Sequence, residues 1–126
     1  MKTTIHYTNI SEPSHPGLEI RVRGLALHHL ERRLSSFNPE LVQLHAELEK
    51  GTHHKSYLVK LRLALPSALL VSVDEEYNLD IALRAAFADL ERQLKRHMAH
   101  LRREENWRRK QHREEPRRLK SEATVS

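Results

Sequence analysis

LVQLHAELEKGTHHKSYLVKLRLALPSALLVSV, Leu41 to Val73, is the stretch whose reading decides the fold. From Leu41 to Glu49, Val42, Leu44, Ala46 and Leu48 alternate with Gln43, His45, Glu47 and Glu49. A period of two is the mark of a half-buried strand, because successive side chains point to opposite faces of a sheet. Tyr57 to Leu65 repeats the pattern: Tyr57, Val59, Leu61, Leu63 and Leu65 on one side, Lys60 and Arg62 on the other. The polar turn Lys50 to Lys55 separates these two strands. Pro66-Ser67-Ala68 makes a tight connection to a short strand, Leu69 to Val73, which Asp74-Glu75-Glu76 closes. Three strands joined by short turns predict an antiparallel meander. One face of it is apolar, and the other, carrying His45, Glu47, Lys60 and Arg62, can stay wet.

On the N-terminal side, Thr3 to Thr8 is short and β-prone and predicts a first strand. Ile10 to Gly17, with two prolines and two serines, predicts a loop. Leu18 to Phe37 begins with the alternating LEIRVRG, yet Leu18, Val22, Leu25, Ala26, Leu30, Leu34 and Phe37 recur at helical spacing. One helix accounts for the whole stretch, and Asn38-Pro39 stops it. On the C-terminal side, Asn78 suits a helix N-cap. Leu79, Leu83, Ala86, Leu90, Leu94, His97 and Leu101 then form one apolar stripe, with no proline or glycine before Pro116. The stripe ends at Leu101, so the helix is expected to be anchored to about that point. The predicted order is β-α-β-β-β-α, a two-layer α+β sandwich with both helices on one face of a four-stranded sheet. Residues 1–103 form the domain, and 104–126 read as a charged, flexible tail.

Charge locates the interesting part of the chain. Of 126 residues, 22 are Lys or Arg and 17 Asp or Glu, a net charge of +5. Glu91 to Arg113 holds nine Lys or Arg against three Glu, so the rest of the chain is close to neutral. A local basic block points to a polyanion, most often nucleic acid. An ordinary solvated helix face is the alternative. Such a face normally mixes signs at four-residue spacing, and here Glu91 to Lys95 is the one obvious pair. At 100° per residue, Arg84, Arg92, Lys95, Arg96, Arg102 and Arg103 fall opposite the apolar stripe, with His100 at the border. On the first helix Arg21, His28 and Arg32 share a stripe and Arg33 lies beside it. Two helices on one sheet face can make a common rim from these cations, suited to phosphates.

Other chemistry is absent from the pattern. There is no cysteine, hence no disulfide framework, thiol nucleophile or cysteine-bound zinc. No apolar run reaches a membrane span, and MKTTIHYTNISEPSHPG lacks the apolar block of a signal peptide. A cytoplasmic protein is expected. No P-loop, G-x-G-x-x-G or G-x-S-x-G occurs. The neighbours His28-His29 and His53-His54 diverge on any regular element, and His97 and His100 lack the carboxylate of an H-E-x-x-H helix. No metal, cofactor, catalytic residue or small-molecule substrate is therefore expected. The lone Trp107 either stacks on a base or packs back on the domain.

The stretch NLDIALRAAFADLERQLKRHMAHL, Asn78 to Leu101, with VQLHAELEKGTHHKSYLVKLRLAL before it, resembles the ribosome hibernation-promoting factor and ribosome-associated inhibitor family (sigma-54 modulation, S30EA proteins), in its short type. LERQLKRH, Leu90 to His97, is the best single match, and the resemblance covers roughly residues 3–103. It implies the same β-α-β-β-β-α order. It also implies a non-enzymatic translation inhibitor that binds the small ribosomal subunit and its ribosomal RNA where mRNA and tRNAs sit, with no membrane involved and a monomer off the ribosome. Arg92, Lys95, Arg96, Arg102 and Arg103 match the basic end of the family's closing helix, and Arg32 and Arg33 that of its first helix more loosely. The chain departs from the family pattern at Pro66-Ser67-Ala68, at Asp80 and at Arg84. A general double-stranded RNA-binding module, which also places two helices on one sheet face, is the alternative. A protein adaptor with an acidic partner is a third.

Overall fold

The apolar faces of the meander meet as the alternation requires. The computed structural model describes residues 1–52 and 55–125, with 112–125 described as backbone alone; His53 and His54 lie outside. The elements are β1 (Lys2–Thr8), α1 (His15–His29), β2 (Gln43–Lys50), β3 (Tyr57–Ala64), β4 (Leu69–Glu76) and α2 (Leu79–Val125). They fall into two units, Met1–Leu94 and Lys95–Ser126.

In the first unit the sheet order is β1-β2-β3-β4. β2, β3 and β4 form the antiparallel meander, with Leu44 opposite Leu63, Ala46 opposite Leu61 and Leu48 opposite Val59. β1 lies parallel to β2. Parallel neighbours need a crossover, and α1 supplies it. The fold is thus α+β, a mixed four-stranded sheet with two helices. Val22, Leu25, Ala26 and Leu30 from the α1 side and Ala82, Leu83, Ala86, Phe87, Leu90 and Leu94 from α2 are buried with the inner residues of β2 and β3. Phe87, fully buried, is the bulkiest side chain in that core, and the stripe drawn through Leu83 and Leu90 passes it by. Ser72 is the one buried polar residue among those described, and its hydroxyl donates to the Ala86 carbonyl at 2.8 Å, tying β4 to α2.

Boundaries differ from the sequence expectation in three places. The helix predicted over 18–37 begins at His15 and ends at His29. It starts early because Pro16 fits the first turn, where its missing N–H costs nothing. The chain reversal falls instead at Asn9, which takes a φ of 57°. After Leu30 a 3-10 turn, Glu31–Leu34, replaces the helix and keeps both Leu30 and Leu34 buried. The apolar stripe is therefore real but is shared between two elements. Asp74-Glu75-Glu76 does not close β4; it is the last part of it, paired with Tyr57, Leu58 and Val59.

Local contacts fix the ends of the helices. Tyr7 donates from its hydroxyl to the His15 carbonyl at 3.1 Å and stacks on the His15 ring at 3.7 Å. Burial, and then the Glu19 charge, pushes the Tyr7 pKa up. Asn78 caps α2: its side-chain oxygen accepts from the amides of Asp80 at 2.9 Å and Ile81 at 3.3 Å.

The second unit carries the rest of α2. Its backbone is helical through Val125, including the segment that charge alone marks as a tail. Among the described side chains, Arg109 and Glu105 pair at 2.7 Å at four-residue spacing, which supports a helix locally. No described helix is long and apolar enough to cross a membrane.

Candidate nucleic-acid interface

Most of the cations predicted for the site in the first unit are held by carboxylates. Arg21 of α1 donates from Nε to Asp80 Oδ1 at 2.7 Å. Arg84, one turn along α2, meets the other oxygen of Asp80 at 3.1 Å. Asp80 therefore links the two helices and orients two guanidinium groups side by side. Arg33 lies 3.5 Å from Glu91, whose other oxygen takes the His29 ring at 3.1 Å. Arg92 pairs with Asp89 at 3.4 Å. Asp89 also accepts from Gln93, which in turn donates to the Val71 carbonyl on β4. Burial raises the Asp89 pKa, but hydrogen bonds from Gln93 and Arg92, with the Ser72 hydroxyl and the Arg92 charge adding to them, outweigh it and leave the carboxyl below its ordinary value.

The expectation of a single opposite-charge pair on the cationic face is corrected here. Asp80, Asp89 and Glu91 each hold at least one of the predicted cations, and Glu91 reaches both His29 and Arg33. A helical wheel assigns each charge an angle. It cannot show that the α1 side of the layer supplies partners from 59 and 62 residues away. Of the residues predicted in this unit, Arg32 has no ion pair among the described residues. It stands exposed beside Gly24, Leu27 and His28. His29, which the sequence reading did not single out, bridges toward Glu91 and stacks near Phe87.

These ion pairs do not remove the guanidinium groups from use. They are between about two-fifths and two-thirds exposed on the Arg21, Arg33, Arg84 and Arg92 side. Such pairs are worth about 0–1 kcal/mol each. An arginine has five N–H donors and spends one or two on its carboxylate. The remainder can meet a phosphate in an orientation the carboxylate has fixed.

The second unit is different. Lys95, Arg96, Arg102 and Arg103 are exposed, and within this unit none has an ion pair with a described carboxylate. Seven residues separate Lys95 from Arg102 and Arg96 from Arg103, so each pair stacks along the helix in one column. His100 approaches Glu104 at 3.2 Å. Arg108, Arg109 and Lys110 extend the basic surface past the predicted set; they belong to the same block of charge that marks the region in the sequence. Trp107 is 60% exposed. No group of three or more potential ligands that could hold a metal occurs among the described residues.

A comparison with protein-family models finds no match, and one with curated proteins finds none either. Solved structures do match. The N-terminal domain of Protein Y from Thermus thermophilus aligns with a TM-score of 0.55 at 19% identity, over 76% of this chain and 98% of that one. A ribosomal subunit interface protein from Coxiella burnetii aligns with a TM-score of 0.55 at 18% identity, over 79% of this chain and 99% of that one. Nearly the whole of each of those chains is thus matched, and what this chain shares with both is the fold.

Proposed function

We propose that this protein is a ribosome-binding translation inhibitor of the hibernation-factor type, without enzymatic activity, acting in the cytoplasm. In this reading it contacts ribosomal RNA of the small subunit and occupies the region of mRNA and tRNA as a monomer. Residues 1–103 form the ribosome-binding part and 104–126 a charged tail. One observation carries the reading: columns of exposed cations on a helix of the fold that a ribosomal subunit interface protein also adopts. Arg21, Arg33, Arg84 and Arg92 add oriented guanidinium groups, and Arg32 and His100 lie within the same basic set. The fold alone serves many functions, so the charge pattern is the part specific to RNA.

Co-sedimentation with purified small subunits at low and moderate salt tests the reading. The expected result is stoichiometric binding at low salt that falls steeply as salt rises, because each phosphate contact releases counterions. Competition with plain duplex RNA separates ribosome binding from general double-stranded RNA binding. Displacement by duplex at equal phosphate concentration would favour the general module. No association at either salt would end the proposal.

A further inference from the structure

Trp107 has no evident purpose within its own helix. Its neighbours three and four positions away are Arg103, Glu104, Lys110 and Gln111, all polar and all exposed. Its indole, 60% exposed, makes no ring contact with any described residue. Tryptophan is only a middling helix former, so neither helix propensity nor a local apolar cluster accounts for it. Over residues 95–111 the helix holds seven Lys or Arg against two Glu. Both acids are engaged, Glu104 with His100 and Glu105 with Arg109. An open aromatic plane therefore sits in a positive field. Arg103 lies about one turn before it and Lys110 just under one turn after it, roughly 6 Å and 4.5 Å away along the axis.

The geometry points to a stacking site for an unpaired nucleobase at Trp107, with Arg103 and Lys110 taking the flanking phosphates. Every base has a π-face, and a cationic groove with an exposed aromatic is how single-stranded nucleic acid is held. A base inside a duplex is already stacked on its neighbours, so the ligand is single-stranded or looped RNA. An acidic peptide would satisfy the cations and leave the indole unused. A membrane surface would need an apolar face, and the residues around Trp107 offer none. The proposal rests on the RNA-binding reading above and adds to it a preference for unpaired bases, located in the 95–111 helix.

Trp107 is the only tryptophan in the chain, so its emission reports on this site alone. Three polyanions of equal charge number are titrated into the full chain: a single-stranded oligouridylate, a blunt RNA duplex and inorganic polyphosphate. All three should bind at low salt. The oligouridylate alone should quench the emission strongly. Trp107→Ala should weaken the oligouridylate about ten-fold or more and leave duplex and polyphosphate unchanged, with Trp107→Phe in between. Equal quenching by polyphosphate, or Trp107→Ala binding the oligouridylate as tightly as the parent, would overturn the stacking site. Because Trp107 is exposed, the variant should melt with the parent. The parent's quenching decides the matter even if it does not. Small-subunit co-sedimentation of the parent, run alongside, keeps the two readings apart. If the parent sediments but shows no base-dependent quenching, only the stacking site is lost.

Discussion

The two classes of cation make opposite predictions, and the clearest perturbation removes them class by class. Changing Lys95, Arg96, Arg102 and Arg103 together to Ala deletes four charges that have no ion pair with a described residue of their unit. Alanine is at least as good a helix former, and exposed substitutions stay within about 0.5 kcal/mol each. The thermal midpoint should therefore barely move. If each cation meets one phosphate, the slope of log K against log salt should flatten by about 3–4, at roughly 0.7–0.9 per contact. Between 50 and 200 mM salt the parent should then lose on the order of 10²-fold more affinity than the variant. The counterpart changes Arg21, Arg33, Arg84 and Arg92. It removes the arginine partners of Asp80, Asp89 and Glu91, so it should cost measurable stability, while the salt slope changes less, since each of those charges is already partly balanced. Filter binding or sedimentation across a salt series reads the slope, and urea melts read the stability. If the first variant keeps the parent's slope, the exposed columns are a solvated surface and the site assignment fails.

The parts of the fold that follow from short periodicities were legible. Alternation in β2 and β3 predicted which residues face inward, and Leu44, Ala46, Leu48, Val59, Leu61 and Leu63 are buried as expected. What the sequence could not show depends on partners distant along the chain. The parallel docking of β1 against β2 carries no local signal. Leu30 and Leu34 look like helix positions because a 3-10 turn can bury the same stripe. Phe87 lies between two columns of the wheel, yet it fills the core, since a helix packed on a sheet buries a broad face. The candidate site divides the same way. The block of charge was visible at once. The pairing of Arg21 with Asp80 and of Arg33 with Glu91 needed α1 and the 3-10 turn after it beside α2.

Three further outcomes follow from particular contacts. Leu90 is fully buried on α2, so Leu90→Ala should cost about 2–5 kcal/mol in urea unfolding, while the molecules still folded bind RNA as the parent does. Asp80→Asn should release Arg21 and Arg84. It should lower stability by less than about 1 kcal/mol, the range of exposed ion pairs, and steepen the salt dependence of RNA binding; an unchanged slope would mean those two arginines do not reach the RNA. The last concerns acid. Asp89 titrates below its ordinary value because hydrogen bonds from Gln93 and Arg92 outweigh its burial. A carboxyl depressed in the folded state binds protons less readily there than in the unfolded chain. Its contribution is therefore complete above the unfolded carboxyl's pKa of about 4 and is lost as pH falls through the lower, folded value. Asp89→Asn cannot titrate, so the gap in melting temperature between parent and variant should be constant from pH 7 to about 5 and should shrink between about pH 4 and 2. The effect is small, since Asp89 is 45% exposed and water screens its partners. Every other carboxyl titrates alike in both proteins, so the difference isolates this one. Parallel curves down to pH 2 would show that the Gln93 and Arg92 contacts do not hold the Asp89 carboxylate in solution.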